Sequence, residues 1–274
     1  MKTLNPFTTD DGSILIVGAS SYLARYFLNA ADGILPIHAI SHGDIDTIDP
    51  ARVKVLVNFA CDQAYHQKPY DPAIDFDADL IRRFRGLELH YIFLSSRKVY
   101  IPKENTFESD PLSDDNFYGQ NKIITEALVR KEFPDSHTIL RIGNIIGPDM
   151  KPHTFIGQAI RTLTAQKQVI LDVNGATRRD FLPVTDFATT LVQIINALPI
   201  GTYNIGAGFG TPVGNIAKWL TVGYGEGKVV ISDDQTKDVF YLNTDKLTGV
   251  IGPLGTPDNI ESTCINIGWR LKNE

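Results

Sequence analysis

Five short, nearly continuous apolar runs mark the first half of the chain: Ser13–Val17 (SILIV), Pro36–Ile40 (PIHAI), Val53–Phe59 (VKVLVNF), Leu89–Ser95 (LHYIFLS) and Thr138–Ile142 (TILRI). Runs without polar alternation are those of strands covered on both faces, as in parallel sheets. Between them, Ser21–Ala31, Ala73–Arg85 and Tyr118–Phe133 carry helical patterns. Alternating strand and helix requires right-handed crossovers. The pattern therefore predicts an α/β fold: a Rossmann-type, doubly wound parallel sheet, followed by a smaller C-terminal substrate-binding lobe.

The residues from Ser41 to Arg52, twelve in all, separate the second run from the third. That is barely a crossover, so a short edge segment around Asp44–Ile48 and at most one helical turn from Pro50 are expected. The second half is less regular, with Gly and Pro recurring through Gly143–Pro152, Gly206–Pro212 and Gly249–Pro257. Asp186–Ala197 reads as a helix with Asp186 capping its start, and Asn215–Leu220 as a short one. Asp245–Glu274 reads as a compact tail. The expected division is a dinucleotide-binding domain over residues 1–145, with 180–205 packing back on it, and a substrate lobe over 146–274.

Composition narrows the function classes. A chain of 274 residues with a net charge of −6 and no basic block gives no footprint for nucleic acid. Cys61 and Cys264 have neither metal-ligand nor redox spacing and are expected as two buried free thiols in a reducing, cytoplasmic setting. No stretch has the roughly 18 apolar residues of a spanning helix, and Met1–Ser13 lacks a signal core. No metal site is expected, and His38, His66, His90, His137 and His153 are read as structural or surface residues.

Two local patterns carry chemistry. After the first strand, Gly18-Ala19-Ser20-Ser21-Tyr22-Leu23-Ala24 leads into a helix, a setting in which backbone N–H groups and the helix dipole face a pyrophosphate. Its small residues at Gly18, Ser21 and Ala24 match G-x-x-G-x-x-[GA], with Ser in the middle place. Further on, Tyr118 and Lys122 fall on one helix face at i, i+4. An adjacent ammonium favours a phenolate, and a tyrosine so placed can exchange a proton with a carbinol oxygen. Leu94–Tyr100 (LSSRKVY) ends a strand at the carboxyl edge of the sheet, where ligands bind in open α/β folds. It places Ser96 to hydrogen-bond the same oxygen.

In order and spacing, these residues resemble the extended short-chain dehydrogenase/reductase superfamily, in its nucleotide-sugar epimerase, dehydratase and reductase branch. The resemblance covers about the first 210 residues and adds Leu140–Pro148 (LRIGNIIGP), Arg179–Asp186 (RDFLPVTD) and Tyr203–Gly206 (YNIG). It implies Ser96, Tyr118 and Lys122 as the catalytic set. Gly18, Ser20, Ser21, Tyr22 and Leu23 would lie along the cofactor pyrophosphate, with Ala60 beside the cofactor and Lys122 on its ribose. Ser96, Arg97, Asn144 and Arg179 would meet the substrate, Asn144 and Arg179 at a diphosphate; an Arg179 pairing with Asp180 or Asp186 is the alternative. It also implies a nucleotide-diphosphate sugar as partner and a homodimer formed through Ala73–Arg85 and Tyr118–Phe133.

Departures from the branch pattern bear on the reaction. Dehydratases of the branch carry an Asp-Glu pair just after the catalytic hydroxyl residue; here Arg97 and Lys98 stand there, which argues against 4,6-dehydration. The second strand ends in Ser41, His42 and Gly43, with Asp44 slightly late. Ser41 and His42 suit a 2′-phosphate, with Arg25 nearby, so NADP(H) is expected over NAD(H). That favours net reduction of a nucleotide-linked 4-keto-6-deoxyhexose. A 4-epimerase with tightly held NAD and a non-catalytic dinucleotide-binding protein remain the alternatives.

Overall fold

The computed structural model describes residues 13–113, 115–148, 154–254 and 256–273; residues 1–12 and His153 lie outside them. The elements run β1 (Ser13–Val17), α1 (Tyr22–Ala31), β2 (Ile37–Ile40), β3 (Val53–Asn58), α2 (Phe76–Phe84), β4 (His90–Ser96), α3 (Phe117–Glu132) and β5 (His137–Ile142). They continue with β6 (Asn144–Ile146), α4 (Phe155–Gln166), β7 (Gln168–Leu171), β8 (Arg178–Arg179), β9 (Phe181–Pro183) and α5 (Val184–Ala197). The chain finishes with β10 (Gly201–Ile205), β11 (Thr211–Pro212), α6 (Val213–Tyr224), β12 (Lys228–Ile231), α7 (Asp245–Ile251) and α8 (Pro257–Asn273).

Six strands form one sheet in the order β10-β5-β4-β3-β1-β2, with every pair parallel. This is the doubly wound Rossmann-type sheet expected. Side chains alternate across it as the pleat demands. Ile14 and Ile16 join Phe27 of α1 and Phe187 and Leu191 of α5 on one face, whereas Leu15 and Val17 join Leu80 and Phe84 of α2 and Val129 of α3 on the other. Burying both faces explains why these strands lack polar alternation.

Some elements match expectation and several differ. The β2–β3 connection has the one helical turn expected from Pro50, with a second turn where a short edge segment was expected around Asp44–Ile48. It folds as two 3-10 turns, His42–Thr47 and Pro50–Arg52, closed by Thr47 donating to the Asp44 carbonyl at 2.7 Å and Ala51 N–H donating to Asp49. α5 begins at Val184 after Pro183, so Asp186 lies in its first turn and is not its cap. α6 spans 12 residues, beyond the short Asn215–Leu220 segment expected. α4 and α8 went unexpected: the tail is largely one 17-residue helix, whose Ile260, Cys264 and Ile267, at i, i+4 and i+7, are buried against α4 and α6 in a second core. Cys264 is buried as expected, but Cys61 is exposed, because it follows β3 beyond the covered part of the sheet.

Among the described residues no helix is long and apolar enough to cross a membrane.

Candidate active site

The carboxyl ends of β1, β3, β4 and β5 open into a cleft of about 840 Å³, within the ~300–1,000 Å³ range of small-molecule and cofactor sites. On one side stands the glycine turn. Gly18 adopts φ +82°, and a Cβ there would collide with the Ala60 backbone, so the first turn requires glycine. Ser21 caps α1, its hydroxyl accepting from Ala24 N–H at 3.3 Å. The serine that replaces the motif's second glycine thus folds its side chain onto its own helix. Ser20, Ser21, Tyr22, Leu23 and Ala60 line the cleft, as does Arg25. Gly18 is not among the lining residues; its part is to shape the turn. A ten-residue helix directed at an open cleft, with a backbone cradle that a side chain would fill, fits a dinucleotide pyrophosphate.

Ser96, Tyr118 and Lys122 line the cleft together. Ser96 ends β4, accepts from Lys98 N–H at 3.2 Å and hydrogen-bonds the Tyr118 phenol. Asn116 caps α3 by accepting from Gly119 N–H at 2.8 Å, and a Cβ at Gly119 would strike the Lys98 carbonyl. Glycine after the tyrosine therefore lets the start of α3 press against the turn that follows Ser96. Lys122 is buried, its Nζ 4.5 Å from the Phe93 ring centroid and 5.8 Å from that of Tyr118.

The electrostatics refine the sequence reading. Burial raises the Tyr118 pKa above its ordinary value, more than Lys122 lowers it, so the phenol is protonated at neutral pH. Burial alone would lower Lys122, but Tyr118 and Asp77 outweigh it and hold the ammonium. Asp77, on the first turn of α2, is pushed up to about 6 by burial, against the pull of Lys122 and of hydrogen bonds from Tyr91 and Asn58.

Arg97, Asn144 and Arg179 also line the cleft. The partner of Arg179 is neither Asp180 nor Asp186. It donates to the Asp238 and Lys237 carbonyls at 3.2 and 3.3 Å and approaches the Asp238 carboxylate at 3.8 Å. Ser41, His42 and Asp44 are not among the lining residues. Ser41 donates to the Asp44 carboxylate at 2.6 Å. His42 stacks on Phe76 at 3.9 Å, and burial lowers its pKa, so it is neutral.

Sequence reasoning missed three residues here. His66, read as structural, lines the cleft and stacks on the Tyr118 ring at 4.3 Å; His90 and His137 are the buried structural ones. Asp77 and Asp238 line the cleft as well. No local spacing announces any of them, since each arrives from a separate loop or helix.

Fold and site together define a dinucleotide-binding enzyme of the extended short-chain dehydrogenase/reductase type. The chain belongs to the NAD-dependent epimerase/dehydratase family, whose model matches residues 14–206, and its cofactor is a nicotinamide dinucleotide. Solved structures with the same fold include RMD from Pseudomonas aeruginosa complexed with NADPH (TM-score 0.79, 15% identity, 96% of this chain and 99% of that one). Others are dTDP-4-dehydrorhamnose reductase from Yersinia enterocolitica (0.74, 17%, 94% and 99%) and UDP-glucuronic acid 4-epimerase from Bacillus cereus in complex with NAD (0.75, 16%, 94% and 99%). No curated protein matches the sequence.

Proposed function

We propose that the protein is an NAD(P)H-dependent reductase of a nucleotide-linked 4-keto-6-deoxyhexose. The observation that carries this reading is the Ser96–Tyr118–Lys122 constellation in one cleft, Ser96 and Tyr118 half-buried over a buried Lys122, with Arg97 and Lys98 where dehydration would need an acid and a base. Ser20–Leu23 and Ala60 hold the dinucleotide, and residues 146–274, apart from 180–205, form the substrate lobe. Asn144 and Arg179 take the diphosphate, for which a planar guanidinium is suited. The chemistry that a reduced nicotinamide supplies when bound is a hydride for the ring carbonyl carbon. Tyr118, kept protonated by burial, gives its proton to the carbonyl oxygen while Ser96 fixes that oxygen. Lys122 keeps its charge throughout and stabilises the phenolate left behind. The exposed Phe117 and Ile124 on α3 support a homodimer through α2 and α3.

A second reading, a 4-epimerase with tightly held NAD, is favoured by one observation: the charged group at the end of β2 is Asp44, already bonded by Ser41. That arrangement suits ribose hydroxyls better than a 2′-phosphate and works against the NADP(H) expectation, which then rests on Arg25.

The test is consumption of NADPH and of NADH against nucleotide-linked 4-keto-6-deoxyhexoses. Turnover that drops by about 10²- to 10⁴-fold in Tyr118→Phe, with dinucleotide binding retained, supports the reductase. No consumption of either cofactor, together with co-purified NAD and interconversion of two sugars, replaces it with the epimerase.

A further inference from the structure

Arg97 follows Ser96 directly, at a position where its charge would face the reacting end of a substrate. The protein has already answered that charge. Two of its nitrogens donate to the two oxygens of Asp238, each at 2.9 Å, in the bidentate geometry that guanidinium and carboxylate favour. The guanidinium lies 3.5 Å over the Phe240 ring, the side chain is 8% exposed, and Nε has no hydrogen-bond partner. Asp238 comes from far along the chain and adopts φ +52°, strained for a non-glycine residue. The segment that carries it is fixed by Phe240 N–H donating to the Arg178 carbonyl at 3.1 Å and Asp180 N–H donating to the Phe240 carbonyl at 2.9 Å. Burial alone would raise the Asp238 pKa, but Arg97 overrides it and holds the carboxyl below the ordinary range, so the pair is ionised at neutral pH.

We propose that the Arg97–Asp238 pair selects the charge of the sugar: it cancels the guanidinium charge next to Ser96, admitting a hexose that is uncharged there and rejecting one that would need that guanidinium for a carboxylate. The inference rests on the nucleotide-sugar reading above and extends it. An acidic sugar meets Asp238 as a like charge and reaches Arg97 only by displacing a bidentate partner from a mostly buried site. A methyl or hydroxymethyl group carries no such penalty. Arg179, 3.8 Å from the Asp238 carboxylate that Arg97 takes bidentately, and Lys98, which also lines the cleft, remain for a diphosphate, so the cations of this wall divide the work between phosphate and sugar.

The test compares the affinities of the purified protein for UDP-glucose and UDP-glucuronate, probes that differ only at C6, by calorimetry and without turnover. Wild type is expected to favour UDP-glucose. Asp238→Asn keeps the shape and bares the Arg97 charge, which should move the affinity ratio towards UDP-glucuronate by about 10- to 100-fold, the range of a charge-assisted hydrogen bond gained. Arg97→Gln takes away the bidentate partner of Asp238, leaving its charge only partly answered by Arg179 at 3.8 Å, and should move the ratio the other way. It provides the test by itself should Asp238→Asn not melt cooperatively. Both variants shifting in one direction, or a ratio constant within about twofold (less than ~0.5 kcal/mol), overturns the inference and leaves the nucleotide-sugar reading standing. Failure of wild type to bind either probe, or the corresponding dTDP- and GDP-linked hexoses, while it binds dinucleotide overturns both.

Discussion

Two carboxylates buried on opposite sides of the cleft are held in opposite ways. Glu126, one turn beyond Lys122 on the same face of α3, is fully buried. It accepts from Arg141 at 2.9 and 2.7 Å, from Arg130 at 2.7 Å and from Ser95 at 2.6 Å. Asp180, at the foot of the substrate wall, is as deeply buried, but it accepts from backbone N–H groups, Ala207 at 2.7 Å and Leu242 at 3.1 Å. The consequences diverge. Burial would raise Glu126, yet its arginines hold it below the ordinary range, whereas burial pushes Asp180 up to about 6 in spite of its donors. A guanidinium brings a full charge and two aligned donors; a peptide N–H brings a partial one. The α3 side is thereby locked by ion pairs that join α3 to β5 and a hydrogen bond to β4, with Arg141 reaching on through Tyr100 to Asn204 of β10. On the other side Asp180 is held by hydrogen bonds from the chain's own backbone.

The largest expected effect breaks the first arrangement. Glu126→Gln removes the charge that compensates Arg141, whose side chain is 4% exposed, and should lower stability by about 3–5 kcal/mol, the cost of stranding one partner of a buried pair. Urea unfolding measures this directly. A loss under about 1 kcal/mol, as for a surface pair, would show that the network is not the lock described.

The second prediction tests the other side. The folded-state pKa of Asp180 lies above its unfolded value, so the folded state keeps a proton that the unfolded state has lost between about pH 4 and 6. Its contribution to stability is therefore full below pH 4 and is lost as pH rises to 6. Relative to wild type, Asp180→Asn should gain roughly 3 kcal/mol on going from pH 4 to pH 7, two units at about 1.4 kcal/mol each. Urea midpoints across that range give the difference curve. A curve sloping the other way would mean that the N–H donors outweigh burial.

The same contrast explains what the sequence revealed. The strand-end wall is written locally: a run of apolar residues, then Ser96; a helical pattern, with Tyr118 and Lys122 one turn apart at its head. Short-range periodicity suffices to place these residues, and five of the six sheet strands were legible for the same reason. The other wall is assembled from pairings across long separations. Asp238 meets Arg97 across 141 positions, and nothing near either residue records the other. Asp77 and His66 escaped for a related reason, since their roles come from Lys122 and Tyr118 beneath them and not from a motif of their own. Arg179 was found, but its partner was sought among its neighbours in sequence, where a pair is easiest to imagine.

A third carboxylate, Asp44, is exposed and accepts from the Ser41 hydroxyl at 2.6 Å. Its influence on a ligand is that of plain charge at short range. A 2′-phosphate brought to the end of β2 would feel that charge as repulsion, whereas ribose hydroxyls would find an acceptor. Asp44→Ser should accordingly shift the ratio of NADPH to NADH affinity by about fivefold towards NADPH, the factor that corresponds to one like-charge contact of ~1 kcal/mol at about 4 Å in water. The shift should shrink as salt is added, because the site is exposed. The melting temperature should hardly move, since nothing buried is disturbed. An unchanged ratio at low salt would place the adenosine ribose away from Asp44 and return the choice of cofactor to Arg25.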